Sequence, residues 1–173
     1  MKNRADLFWA IVGEGGLVLV MATVSWVIKQ PLIFASLGPT AYELAEQPQL
    51  RSARTYNIIV GHLTGLAAGF LAAYLMNAWG SPNAIATGIL TTQRLWAAVI
   101  AATLTTVITL LLKAGQPAAL ATALLVSLGS MQTRRDAVAI IAAVLIIAAI
   151  GEPFRRFRLK YTQTRPVVPR QRQ

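Results

Sequence analysis

The sequence predicts an all-α polytopic membrane protein, and three observations carry that reading. The first is composition: 55% of the 173 residues are hydrophobic and 13% charged, with a mean hydropathy of +0.57. A soluble domain carries about 25% charge to build its wet surface. The second is the length of the uncharged runs. Between Arg54 and Arg94 the only titratable groups are His62 and two tyrosines, and no charge falls between Arg94 and Lys113 or between Lys113 and Arg134. About 20 apolar residues cross ~30 Å of hydrocarbon, and each run offers roughly that. The third is the order of apolar segments, which reads long, short, long and again long, short, long, each short one broken by Pro or Gly.

The first span is read as Leu7–Ile28, too long for a signal-peptide core and without a small-x-small cleavage site. Pro31–Leu44 is the first short segment, interrupted at Gly38-Pro39, and a polar loop Ala45–Thr55 follows. The second span is Tyr56–Trp79. The turn Gly80-Ser81-Pro82-Asn83 then suggests a helix start with Ser81 as N-cap and Pro82 at the first helical position. Arg94–Leu112 is the third span. Gly115-Gln116-Pro117 opens the second short segment, Ala118–Met131, and Asp136–Ile150 is the last span, with Gly151-Glu152-Pro153 as its expected stop. The chain therefore divides into a transmembrane domain, 1–154, built as two three-segment halves, and a basic tail, 155–173, expected to be disordered.

The formal net charge of +10 is concentrated rather than spread: seven of the sixteen cations lie after the last span. That is the pattern of a terminus kept in the cytoplasm. It argues against nucleic-acid binding, because no aromatic platform accompanies the charge. If both short segments cross the bilayer, twelve of the sixteen cations lie on the tail's side; if both are re-entrant, ten do. The positive-inside rule prefers the crossing arrangement, which makes the halves inverted repeats. The chain has no cysteine, which excludes disulfides and thiolate chemistry. The expected setting is a bacterial inner membrane or a plastid-type membrane, with the C-terminus cytoplasmic.

Residues able to carry chemistry sit mainly at the interruptions. Ser36, Gly38, Pro39 and Thr40 in the first short segment, and Gln116, Pro117 and Thr122 in the second, combine broken helix backbone with neutral hydrogen-bonding groups. Helix starts inside a membrane attract small anions through free N–H groups and the helix dipole; the plainer reading is a pair of kinked helices. His62 either handles substrate or protons, or simply hydrogen-bonds a neighbouring helix. Gly61, Gly65 and Gly69 form a small-residue ridge that lets another helix approach closely, in a tight bundle or a homo-oligomer. Glu14 is costly unless it snorkels, pairs or takes a proton. One histidine without cysteines makes no metal site.

The two interrupted segments resemble the HPP family of integral membrane proteins. Pro31-Leu32-x-x-Ala35-Ser36-Leu37-Gly38-x-x-Ala41, followed by Pro48, Asn57 and Gly61-His62, is similar to that family's first block. Gln116-Pro117-Ala118-Ala119-Leu120-Ala121-Thr122-Ala123-Leu124 resembles its His-Pro-Pro-Ala-Gly-Ala-Thr-Ala-Leu motif, with Gln116, Ala118 and Leu120 in place of His, Pro and Gly. Tyr56 stands where the family usually has Arg. The match covers roughly Pro31 to Ile150. The resemblance implies a small helical membrane domain and transport of a small anion such as nitrite, with no cofactor.

The expected function is thus a channel or secondary transporter for a small polar or anionic solute, with its site where the two interruptions converge. Two alternatives stand beside it. One is a non-catalytic scaffold whose basic tail recruits a partner. The other is an intramembrane hydrolase using Glu43, Glu46 and His62, of which Glu43 and Glu46 share a helix face.

Overall fold

A computed structural model describes residues 4–29 and 32–163. Seven α-helices are found among them: α1 Arg4–Ile28, α2 Leu37–Glu46, α3 Thr55–Leu75, α4 Ala84–Thr87, α5 Thr92–Leu111, α6 Pro117–Ser127 and α7 Arg134–Gln163. Four of these, α1, α3, α5 and α7, are long and apolar enough to cross a membrane. The short pair, α2 and α6, occupy the two interrupted segments. The all-α class and the two three-segment halves are as the hydropathy implies.

Contacts at the helix ends fix their directions. Trp9 near the start of α1 lies edge-on to Phe157 near the end of α7, at 5.3 Å between ring centroids. Arg155 and Arg158 of α7 donate to the carbonyls of Pro48 (3.1 Å) and Ala45 (3.2 Å), and Thr55 donates to Glu152 (3.0 Å). The start of α1, the end of α2, the 47–54 loop, the start of α3 and the end of α7 therefore share one end of the bundle, called here the tail end. Tyr56 donates to the carbonyl of Leu112 at 3.0 Å, which brings the end of α5 to the same place. At the far end, the amide of Ala84 donates to Leu128 at 2.9 Å.

Packing sorts the helices into two groups that are not the sequential halves. One buried cluster is centred on α1, α2 and α7 through Leu17, Met21, Leu37, Leu44, Val144 and Ile147, and reaches α3 and α6 through Ile58, Leu66 and Val126. A second is built almost wholly of alanine, Ala72, Ala73, Ala97, Ala101 and Ala123, where α3, α5 and α6 meet. Methyl groups alone bring these three backbones close, which is how helices gain dispersion energy in lipid without a hydrophobic drive. Large apolar side chains such as Trp26, Leu19, Leu111 and Val138 point outward, 66–81% exposed, as lipid contact requires.

Two expected boundary signals, Ser81-Pro82 and Gly151-Glu152-Pro153, act differently in the structure. The turn after α3 does not use Ser81 and Pro82 to start a helix. Asn83 caps the one-turn α4, accepting from Ile85 and Ala86, while the third long helix starts at Thr92, close to the expected Arg94, with Thr91 as its cap. The local reason is competition: Asn at the cap accepts two amides, while Gly88 closes the turn in the left-handed region at φ +69°. Gly151-Glu152-Pro153 does not stop α7, which runs through Pro153 to Gln163. Glu152 holds both Arg155 (2.9 Å) and Arg156 (2.7 Å) one turn on, and Arg155 and Arg158 are anchored on α2 and its loop. These ties hold the turns after Pro153 in place although its ring forfeits the bond to the Ala149 carbonyl. Residues 155–163 are accordingly helical, and the rest of the expected disordered tail, 164–173, lies outside the described residues. Residues 30 and 31 do too.

Candidate functional site

The two short helices run antiparallel. The glycine ridge of α3 seats α6 in register: a Cβ on Gly61 would lie 2.7 Å from Gln116 Cβ, one on Gly65 would strike the Ala119 carbonyl, and one on Gly69 would lie 2.7 Å from Val126 Cβ. The ridge is filled from within the chain, so it is not a face open to a second copy. With α6 leaving the tail end and α2 returning to it, Thr40 comes level with Thr122, and Glu43 with Gln116.

His62 joins that pair. Its Nε2 is 3.0 Å from Thr40 Oγ1 and its Nδ1 is 2.7 Å from Thr122 Oγ1. His62, Thr40 and Thr122 are each 0% exposed. A neutral imidazole carries one donor and one acceptor, and a hydroxyl can answer either, so both nitrogens are satisfied in either tautomer. Thr40 has a further acceptor within reach, the Ser36 carbonyl at 3.4 Å, one turn back on its own helix. The imidazole thus sits between two hydroxyls, Thr40 and Thr122, in a short hydrogen-bonded chain that terminates on the Ser36 carbonyl and is closed to solvent.

The remaining candidate residues fall into two places. Ser36 is buried beside the bridge, whereas Gly38 borders an apolar cavity of about 180 Å³ between α1, α2 and α7 and Pro39 is exposed. Gln116 sits toward the tail end. Its Nε2 donates to the Ser52 carbonyl (3.3 Å) and its Oε1 accepts from Ala118 (3.4 Å), while Pro117 takes the first helical position, which needs no donor. Because α2 and α6 are antiparallel, Gly38-Pro39 and Gln116-Pro117 lie at opposite ends of the pair rather than face to face. What meets between them is Thr40, His62 and Thr122.

Beneath the bridge lies a polar layer. Ser52 and Gln116 are hydrogen-bonding neighbours of the Glu43 carboxyl. Asn57, 5% exposed, donates to the Gly115 carbonyl at 3.1 Å. Next to them Ser52, Thr105, Thr106, Thr109, Gly115 and Gln116 line a groove of about 330 Å³. Glu43 therefore turns to Ser52 and Gln116, while His62 turns to threonines, and the two do not form a carboxylate–histidine pair. Among the described residues no group of three or more His, Asp or Glu is placed to hold a metal.

Arg94 is the residue that sequence reasoning used only as a topological charge. It is 0% exposed, and its guanidinium donates to the carbonyls of Ser81 (2.9 Å), Ser127 (3.0 Å) and Pro82 (3.3 Å). Gly129, at φ +96°, makes the seat: a Cβ there would lie 2.7 Å from Arg94 Cζ. The available signal was its position. A cation in the first turn of a helix opposes the dipole, so it needs other acceptors, and the carbonyls of Ser81 and Pro82 before α4 and of Ser127 at the end of α6 supply them.

The fold and the buried bridge define a polytopic helical membrane protein in which one histidine of a long helix ties together two short antiparallel ones. The model of the HPP transmembrane region matches residues 1–154, and the chain belongs to that family. Comparison with curated proteins and with solved structures gave no match.

Proposed function

We propose that this protein is a channel or secondary transporter for a small polar or anionic solute, nitrite-like by family, that passes between α2 and α6. The observation that carries the reading is the bridge Thr40–His62–Thr122, where both interrupted helices meet on a single ionisable side chain. Short helices that begin at Gly38-Pro39 and Gln116-Pro117 and flank a polar group are in keeping with the discontinuous helices of a transporter's substrate site. The hydroxyl-lined groove at Ser52, Thr109 and Gln116 is a vestibule leading to it from the tail end. Ser36 and Thr40 of α2, and Gln116 and Thr122 of α6, offer donors to an oxyanion once the helices part. His62 tunes the charge of the path. No bond of the solute is made or broken in this reading.

Passage requires the bridge to open, since its three members are closed on one another. The hydrogen bond that must break is Thr40 to His62, because it joins the α1–α2–α7 group to the α3–α5–α6 group. The Thr122 bond lies inside the second group. The test is nitrite uptake into proteoliposomes, comparing the native chain with His62→Ala, Thr40→Val and Gln116→Ala. Uptake should fall at least tenfold on loss of His62 and less on loss of Gln116. Equal uptake by the native and His62→Ala proteins above empty liposomes would remove the bridge from the path. No uptake by either would favour a static membrane scaffold.

A further inference from the structure

At the far end of the bundle the last turn of α1, Leu32 and the first turns of α7 line a cleft of about 420 Å³. Ile28, Leu32, Val138, Ala139 and Ala142 give it apolar walls, and Arg134 and Arg135 stand at its mouth. Both arginines are exposed, and so is Lys29 at the end of α1. The one carboxylate of this turn, Asp136, is engaged with the backbone: its Oδ2 accepts from the amides of Gln132 (3.0 Å) and Thr133 (2.9 Å). Two adjacent cations in the first turn of a long helix work against the positive end of its dipole. An anion at the mouth relieves both. A free phosphate leaves the apolar walls unexplained, and an uncharged lipid leaves the arginines unexplained.

We infer that this cleft is a binding site for one anionic phospholipid, its acyl chain against Ile28, Leu32 and Ala142 and its phosphate on Arg134 and Arg135. The arginine fork suits a phosphate bidentately, and basic pockets between transmembrane helices hold acidic headgroups in this way. The lipid then acts as a wedge filling the gap between α1 and α7, and it is independent of the transport path.

The test is native mass spectrometry of the full chain in detergent with an equimolar mixture of phosphatidylglycerol and phosphatidylcholine of the same acyl composition. The expected result is one retained phosphatidylglycerol, with a preference over phosphatidylcholine of about tenfold. R134Q/R135Q should abolish the preference, and A142F, which fills the cleft, should lower retention of both lipids. A preference unchanged in R134Q/R135Q assigns it to the basic segment after α7 and overturns the proposal. Equal retention of the two lipids by the native chain overturns it as well. Displacement of phosphatidylglycerol by millimolar inorganic phosphate would show a phosphate site without a lipid requirement, and would also overturn it.

Discussion

His62 Nδ1 and Thr122 Oγ1 lie 2.7 Å apart, the shortest link between α3 and any polar group of α6. The two partners of such a bond do not lose equally when it is cut. A helical threonine can turn its hydroxyl back to the carbonyl one turn earlier, but an imidazole nitrogen enclosed by apolar atoms has no fallback. Thr122→Val should therefore cost about 1–3 kcal/mol, seen as a lower midpoint of thermal unfolding in detergent. His62→Leu, of similar size, should cost less than Thr40→Val and Thr122→Val combined while still abolishing uptake. If His62→Leu proves the more destabilising, the bond is chiefly a packing contact.

The glycines divide into two kinds that can be told apart by one methyl group. Gly65→Ala should separate α3 from α6 and cost about 1–3 kcal/mol, because its Cβ would strike the Ala119 backbone, which cannot yield as a side chain can. Gly16→Ala meets nothing within 4 Å and should be neutral or slightly stabilising in mid-helix. Unfolding midpoints of the two variants decide the matter.

Arg94 should be close to irreplaceable for folding. Its three carbonyl acceptors come from two separate segments, Ser81-Pro82 and Ser127, and removing the guanidinium leaves them without that donor. With each stranded carbonyl costing about 1–3 kcal/mol, Arg94→Ala is expected to abolish folded protein in a size-exclusion assay. Arg94→Lys keeps the charge but not the fork, and should give folded protein with a lowered melting midpoint.

The chain contains no cysteine, so single cysteines can report sidedness without background. Gln49 is exposed in the loop that Arg155 holds through Pro48. Gln49→Cys and Lys160→Cys should be labelled from the same side of the membrane by an impermeant maleimide, and Thr133→Cys from the other. Labelling of Gln49→Cys and Lys160→Cys from opposite sides would contradict the packing of α2 and its loop against the end of α7.

The long helices were legible because runs without charge have no other stable setting, and the glycine ridge because its spacing is helical. What such a ridge cannot show is which helix fills it: Gly61 and Gly69 specify a missing side chain, while Gln116 and Val126 are known only once α6 is in place. The crossing arrangement already sets α2 and α6 antiparallel but leaves their register open, so the two interruptions were expected to converge when only Thr40 and Thr122 do. Pro153 misled because local chemistry reads as a stop, whereas the ties holding that turn, Arg158 to Ala45 and Thr55 to Glu152, span most of the chain. Arg94 was passed over because its acceptors are all backbone carbonyls, which no side-chain pattern announces.

The exchange of α3 and α7 between the two helix groups has a consequence for how the protein is made. During synthesis α3 enters the membrane with its small-residue face bare, and the helices that cover that face, α5 and α6, have not yet been translated. Until they arrive that face is open to lipid. A chain cut in the loop between α3 and α5 yields two fragments, each holding a helix whose proper neighbours are in the other. Expressed separately, both should be degraded; expressed together, they should accumulate as one complex.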